Sequence, residues 1–164
     1  MRENMTFEIA PLVPELWCSD FEKSMEFHTE IIGFKVAQRR GQDPHAYLSL
    51  NGAQLMIAHW TLDGNWEPWH PEPIKRPYGR GVNFQFMVRD VQHVYERLLS
   101  KGIKPFRDFY ISEVWKTDCM DTRRQFMALD PDGYLLRFSQ SVSTRPVTAA
   151  DHEKLNQYYG TSYP

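Results

Sequence analysis

Phe126-Met127-Ala128-Leu129-Asp130-Pro131-Asp132-Gly133-Tyr134-Leu135-Leu136-Arg137-Phe138 reads as strand, tight turn, strand. Proline fixes φ for the bend, and glycine accepts the positive φ that closes it. The flanks are apolar and aromatic, as a hairpin with one buried face requires. Residues two apart on a strand share a face. Leu135, Arg137 and Ser139 therefore lie on one side, with Leu136 and Phe138 on the other. What Arg137 meets on its side is the functional question.

Upstream of this hairpin, Val82–Arg89 reads as a strand and Asp90 as a helix cap. Val91, Val94, Tyr95, Leu98 and Leu99 form a helical stripe that Lys101-Gly102 stops. Strands are expected at Lys104–Phe109, Gln125–Leu129 and Tyr134–Gln140, with a loop around Val114–Thr122. The same pattern stands earlier in the chain. Ile9 to Cys18 reads as a strand, marginal in pairing because of Pro11 and Pro14. Ser19 and Glu22 have capping-box spacing, and Asp20 is a second possible cap. Phe21, Met25, His28 and Ile32 recur at helical spacing up to Gly33. Strands Phe34–Arg40, Ala46–Leu50 and Gln54–Trp60 follow, with Asn51-Gly52 as a hairpin turn. Asp20 and Asp90 are 70 apart, and Gly33 and Gly102 are 69 apart, so the unit is repeated in tandem.

The expected class is α+β, with two βαβββ modules whose curled mixed sheets surround a cleft. Module one covers 1–60 and module two 81–140. Residues 61–80, rich in proline with Trp66, Trp69 and Tyr78, connect them. Residues 141–164 form a tail in which Thr148 caps a helix Ala149–Tyr159. Trp66, Trp69, Tyr78 and Trp115 fit a lid or plain packing equally well.

A hydrophobic share of 41% in 164 residues describes an ordinary globular chain. A net charge of −2 with interspersed signs argues against nucleic acid or an anionic membrane as partner. No apolar run approaches a membrane span, and the first residues lack a signal-peptide core. Cys18 and Cys119 have no CxxC pattern. Reduced thiols and a cytoplasmic location are the expectation.

Two units that each open with strand, aspartate, helix and glycine, followed in the second by Asp130-Pro131-Asp132-Gly133, resemble the vicinal oxygen chelate superfamily. This is the group of glyoxalases, extradiol dioxygenases, fosfomycin-resistance enzymes and bleomycin-resistance proteins. The most specific segments are Val13-Pro14, Asp20, Met25-Glu26-Phe27, Ile32-Gly33-Phe34 and Arg124-Gln125-Phe126. The resemblance implies a cleft that holds a divalent metal in the enzymes. Its four ligand positions fall here on Val13, Met56, Asn83 and Arg137. Valine donates nothing, thioether suits hard divalent ions poorly, and arginine is a fixed cation. The chain thus resembles a metal-free member of the bleomycin-resistance type, with no cofactor.

Strand parity from those positions gives the expected lining: Val13, Glu15 and Trp17; Met56, Ala58 and Trp60; Asn83, Gln85 and Met87; Leu135, Arg137 and Ser139. Indole rings and methionine suit a flat, amphipathic ligand. Arg137 favours an anionic one unless Glu15 neutralises it across the cleft. Trp17 and Trp60 fit core as well as ligand contact. No Gly-x-Ser-x-Gly, phosphate loop or histidine next to a nucleophile is present, so no catalytic residue is assigned. Two functions follow from the resemblance. One is sequestration of a bleomycin-like or other amphipathic aromatic molecule by a homodimer. The other is a glyoxalase- or dioxygenase-like enzyme with a non-standard or absent metal site.

Overall fold

A computed structural model describes residues 8–39, 41, 43–59 and 75–159. The first sheet holds β1 (Glu15–Cys18), β2 (Lys35–Arg39), β3 (His45–Leu50) and β4 (Ala53–His59), in the order β1-β4-β3-β2. The second holds β5 (Asn83–Met87), β6 (Arg107–Trp115), β7 (Cys119–Leu129) and β8 (Leu135–Pro146), in the order β5-β8-β7-β6. The two orders are the same, and in both sheets the first strand runs parallel to the last while the rest are antiparallel. The architecture is α+β, built from two tandem βαβββ modules.

One residue in two faces the helices. Leu16 and Cys18, Leu55 and Ile57, Phe86 and Val88, Phe126 and Ala128, and Leu136 and Phe138 are all buried. They form one cluster with Phe21, Met25, Phe27, Ile31 and Ile32 of the first helical segment and Val91, Val94 and Leu98 of the second. Phe138 stacks on Phe86 and Phe126, and the edge of Phe34 meets Phe86 at 5.3 Å between ring centroids. The two modules therefore share one core.

The first helix begins as α1 (Phe21–Met25) and continues as a π-helical segment, Glu26–Ile32. Two side chains compete there for backbone carbonyls: the Thr29 hydroxyl donates to Met25 O, and His28 Nδ1 lies 2.8 Å from Ser24 O. Such bonds draw carbonyls away from the i−4 ladder and favour the wider winding. Gly33 ends the segment at φ 97°. In the second module α2 (Val91–Ser100) is an ordinary α-helix capped by Asp90, whose carboxylate accepts from His93 N at 3.0 Å.

Several expectations are corrected. The first strand is Glu15–Cys18 only; residues 8–14 are not paired as a strand, as Pro11 and Pro14 dictate. The segment is held instead by Gln54, which accepts from Ala10 N and donates to Glu8 O. Ser19 and Glu22 do not form a capping box; Asp20 is the cap, accepting from Lys23 N. Leu99 is exposed rather than part of the inward stripe. The expected loop at Val114–Thr122 is mostly strand, because β6 runs to Trp115 and β7 starts at Cys119. Together with β8, which extends to Pro146, these strands form a long arm.

The joint between the modules is made by the Asp130–Gly133 turn. Asp130 accepts from the backbone N–H groups of Asp132 and Tyr134, both at 2.9 Å, which fixes the bend. Asp132 then points across to module one. Its carboxylate accepts from Ser19 N at 3.1 Å and Ser19 Oγ at 2.7 Å, and pairs with Arg76 at 2.7 Å. Ser19 thereby caps nothing, because its hydroxyl is claimed by a stronger, charged acceptor. Gly133 has φ 94°, and a Cβ there would lie 2.5 Å from Pro77 Cβ, so no other residue fits. His59 Nε2 also meets Ser19 O, at 3.2 Å. Residues 59 and 76, on either side of 60–74, are thus anchored at the same serine.

Two stability predictions follow. Replacing Asp132 by alanine leaves donors at Ser19 and Arg76 without their acceptor, and urea unfolding should show a loss of about 2–3 kcal/mol; a loss below about 0.5 kcal/mol would remove Asp132 from the joint. The second concerns His28, which is fully buried. Burial pushes its pKa down to about 4 from the ordinary 6.5. The unfolded chain then binds more protons between those values, so His28 makes stability rise with pH across that window. Asp130 opposes it, since burial raises its pKa from 3.8 to about 6 and stabilises the folded state toward acid. Against His28→Leu as reference, the wild type should lose on the order of 3 kcal/mol between pH 7 and pH 4; parallel pH profiles for the two proteins would contradict this.

Candidate functional site

The face of each sheet turned away from the core carries the chemistry. On the first sheet, Glu15 pairs in register with Met56, and Trp17 with Ala58. β3 adds Tyr47 opposite Met56 and His45 opposite Ala58. Glu15 Oε1 lies 3.9 Å from His45 Nε2, and both side chains are largely covered, at 17% and 13% exposed. The Tyr47 hydroxyl donates to Gln54 Oε1 at 3.1 Å, and burial raises its pKa. Val13 precedes β1 and is half-buried. Trp60, Trp66 and Trp69 lie outside the described residues.

On the second sheet, β5 places Asn83, Gln85 and Met87 opposite Leu135, Arg137 and Ser139. All three β5 residues are exposed, and Gln85 Nε2 donates to Met87 Sδ at 3.4 Å. From the other side, β7 brings Met127 opposite Arg137 and Gln125 opposite Ser139. Ser139 and Gln125 are buried, at 0% and 3% exposed. Arg137 Nε, Ser139 Oγ and Gln125 Oε1 are buried atoms without a hydrogen-bond partner. Farther along the arm Asp121 is surrounded by cations, with Lys116 Nζ and Arg123 Nε each at 2.9 Å, and by the Ser141 hydroxyl. The Ser141 hydrogen bond, then Lys116 and Arg123, hold its carboxyl well below the usual carboxylate range. That acid is structural, and it leaves the unpartnered atoms as the second sheet's distinctive feature.

The alternative of a Glu15–Arg137 neutralisation is not met within the chain: Glu15 has His45 beside it, and Arg137 Nε has no acceptor. Trp115 lies on β6, not in a loop, and its ring meets that of His152 at 4.8 Å between centroids. His152 belongs to α3 (Ala149–Tyr159), which is fastened to the arm by Arg145, bonded to both Asp151 and Glu113. By strand parity Trp115 faces away from Asp121 and the unpartnered atoms. Cys18 is excluded as a nucleophile. Its thiol donates to Ala58 O, and burial, then Asp132, pushes its pKa up to about 12. His45, Tyr47, Gln125 and Met127 were missing from the sequence reading. The same parity carried from the outer to the middle strands finds them, since Gln125 and Met127 alternate with the buried Phe126 and Ala128.

The residues present do not fit a divalent metal. Val13, Met56, Asn83 and Arg137 include a side chain with no donor, a thioether and a guanidinium that is itself cationic. Among the described residues, no three His, Cys, Asp or Glu side chains converge as a metal site would need.

A core shared by two βαβββ units, with the other face of each sheet turned away from it, defines a two-module α+β fold. The chain belongs to the Glyoxalase/Bleomycin resistance protein/Dioxygenase superfamily, whose family model matches residues 9–138. It is 29% identical over 120 residues to the uncharacterized protein YwkD of Bacillus subtilis, covering 70% of this chain and 84% of that one. In fold it is similar to TioX from Micromonospora sp. ML1, with a TM-score of 0.58 at 20% identity, covering 81% of this chain and 99% of TioX. It is also similar to the lactoylglutathione lyase of Agrobacterium tumefaciens, with a TM-score of 0.52 at 14% identity, covering 81% and 96% of the two chains. The superfamily thus spans proteins of different activity on one scaffold, and the open faces have to decide between them.

Proposed function

We propose that this protein binds a flat, amphipathic small molecule without a catalytic metal, and acts by sequestering it, as a bleomycin-resistance protein would. The observation that carries the proposal is Arg137. It stands where the resemblance puts a metal ligand, opposite Gln85 and Met127, with Nε buried and unpartnered. A guanidinium in that place calls for an oxygen acceptor and repels a cation. Trp17, Met56 and Met87 supply apolar and polarisable surface for a planar ring system. A homodimer that sets module one of one copy against module two of the other would bring both open faces over one ligand. Bleomycin is the family's name and a usable probe, but its positive charge is poorly matched to Arg137.

A second reading, an enzyme of the glyoxalase or dioxygenase kind, is favoured by one observation. Glu15 and His45 form a covered carboxylate–imidazole contact on the first open face, the kind of pair that moves protons. It requires turnover on a carbonyl or hydroxy substrate, whereas sequestration requires none.

The test is a titration of tryptophan fluorescence with metal-free bleomycin, with metal content assayed on the same sample. Saturable quenching at about one ligand per chain, without stoichiometric Zn, Ni, Fe or Mn, would support sequestration, and no quenching would move the search to planar ligands that carry an oxygen acceptor. For a planar aromatic probe that presents an oxygen acceptor, Arg137→Ala should raise the binding midpoint by roughly tenfold, the loss of about one charged hydrogen bond; an unchanged midpoint takes Arg137 out of the site. Stoichiometric metal in the purified protein would favour the enzyme.

A further inference from the structure

The face of the second sheet turned away from the core holds three buried polar atoms with no partner, within two successive same-side rows. Arg137 and Ser139 are neighbours on the same side of β8, and Gln125 is in register with Ser139 on β7. Interiors seldom leave even one such atom, because each unmade bond costs about 1–3 kcal/mol. Three together, on the face that carries no core, mark a place where something else completes the bonding.

Their chemistry is specific. Arg137 Nε–H is a donor and nothing else, and the Ser139 hydroxyl can donate beside it. Gln125 has its amide nitrogen on the Ser112 hydroxyl oxygen, so its own oxygen is the atom left over. An amide oxygen only accepts. The patch therefore offers two donors next to one acceptor, on a sheet whose neighbouring strands are only about 5 Å apart.

We infer that this patch is a recognition subsite for a planar amide-like edge. A carbonyl oxygen of the ligand faces Arg137 Nε and Ser139 Oγ, and an adjacent N–H or O–H faces Gln125 Oε1. The chemical class is a lactam, ureido or hydroxy-carbonyl group on a flat ring. A bare carboxylate is a poor match, since its second oxygen would meet the oxygen of Gln125. Exposed Met87, in register with Ser139, gives the ring a soft apolar wall on the β5 side. The inference rests on the ligand-binding function proposed above and narrows it to one functional group.

The experiment uses the full chain, labelled with nitrogen-15, and three bicyclic probes of similar size. These are 2-quinolone, which carries the lactam edge, 2-methoxyquinoline, which lacks it, and quinoline-2-carboxylate, which replaces it with an anion. 2-Quinolone should bind saturably and move the Arg137 Nε–H and Gln125 side-chain amide signals. The other two should bind at least tenfold more weakly. Ser139→Ala, a small change in a buried position, and Arg137→Met should each weaken 2-quinolone about tenfold while the backbone spectrum stays folded. Tighter binding of quinoline-2-carboxylate, or equal binding of 2-methoxyquinoline, would overturn the inference. So would 2-quinolone binding that leaves those two signals unmoved. Quenching by metal-free bleomycin with no response to 2-quinolone would sink the subsite alone and leave the proposed function standing. Failure of bleomycin and all three probes would sink both.

Discussion

The carboxylate of Asp132 is almost wholly buried, yet it binds groups that belong to the other module and to the segment entering its own. Two sheets that share apolar surface can slide over each other at little penalty, because hydrophobic contact has no direction. A charged acceptor that must face Ser19 and Arg76 at once allows one placement only. The turn residues serve that placement. Asp130 shapes the bend, Gly133 makes room for Pro77, and Tyr134 packs against Tyr78. The shared core supplies stability, and this joint supplies orientation.

With the core fixed on the helix side, most residues on the other face of each sheet are spared core packing, although Gln54 and Asp121 hold structure there. Backbone pairing and the even-numbered residues of β5, β7 and β8 hold the second sheet, so Gln85, Arg137 and Met127 contribute little to it. That division lets one scaffold carry different functions. A metal ligand set can be exchanged for valine, methionine, asparagine and arginine without rebuilding the core. In this chain those four positions hold Val13, Met56, Asn83 and Arg137, and Arg137, Ser139 and Gln125 share one side of the second sheet.

The tandem repeat was legible because both modules place aspartate and glycine at the same points of the helix, and because strand alternation separates Leu136 and Phe138 from Arg137. The outer strands of the open faces were legible for the same reason. The sequence carried weaker signals elsewhere. Polar side chains at His28 and Thr29 look unremarkable at helical spacing, yet they redirect the carbonyls that wind the first helix. Lys116, Thr117 and Asp118 are the real turn in the arm, but the charged residues of β7 around Asp121 read as loop until their cross-strand partners are known. Glu15 and Arg137 look complementary by charge; Glu15 instead has His45 beside it, diagonally across the first sheet from the neighbouring row. In each case the deciding partner is distant in sequence, where pattern alone has no purchase.

The bond between Ser19 and Asp132 spans 113 residues. Each module can collapse through local pairings, such as the β3–β4 hairpin over Asn51-Gly52, before this contact exists. Closing so large a loop is entropically unfavourable until the docked cores of both modules hold its ends together. The joint is therefore a late event in the order of assembly. It fixes how the two modules meet rather than guiding the local pairings within either one.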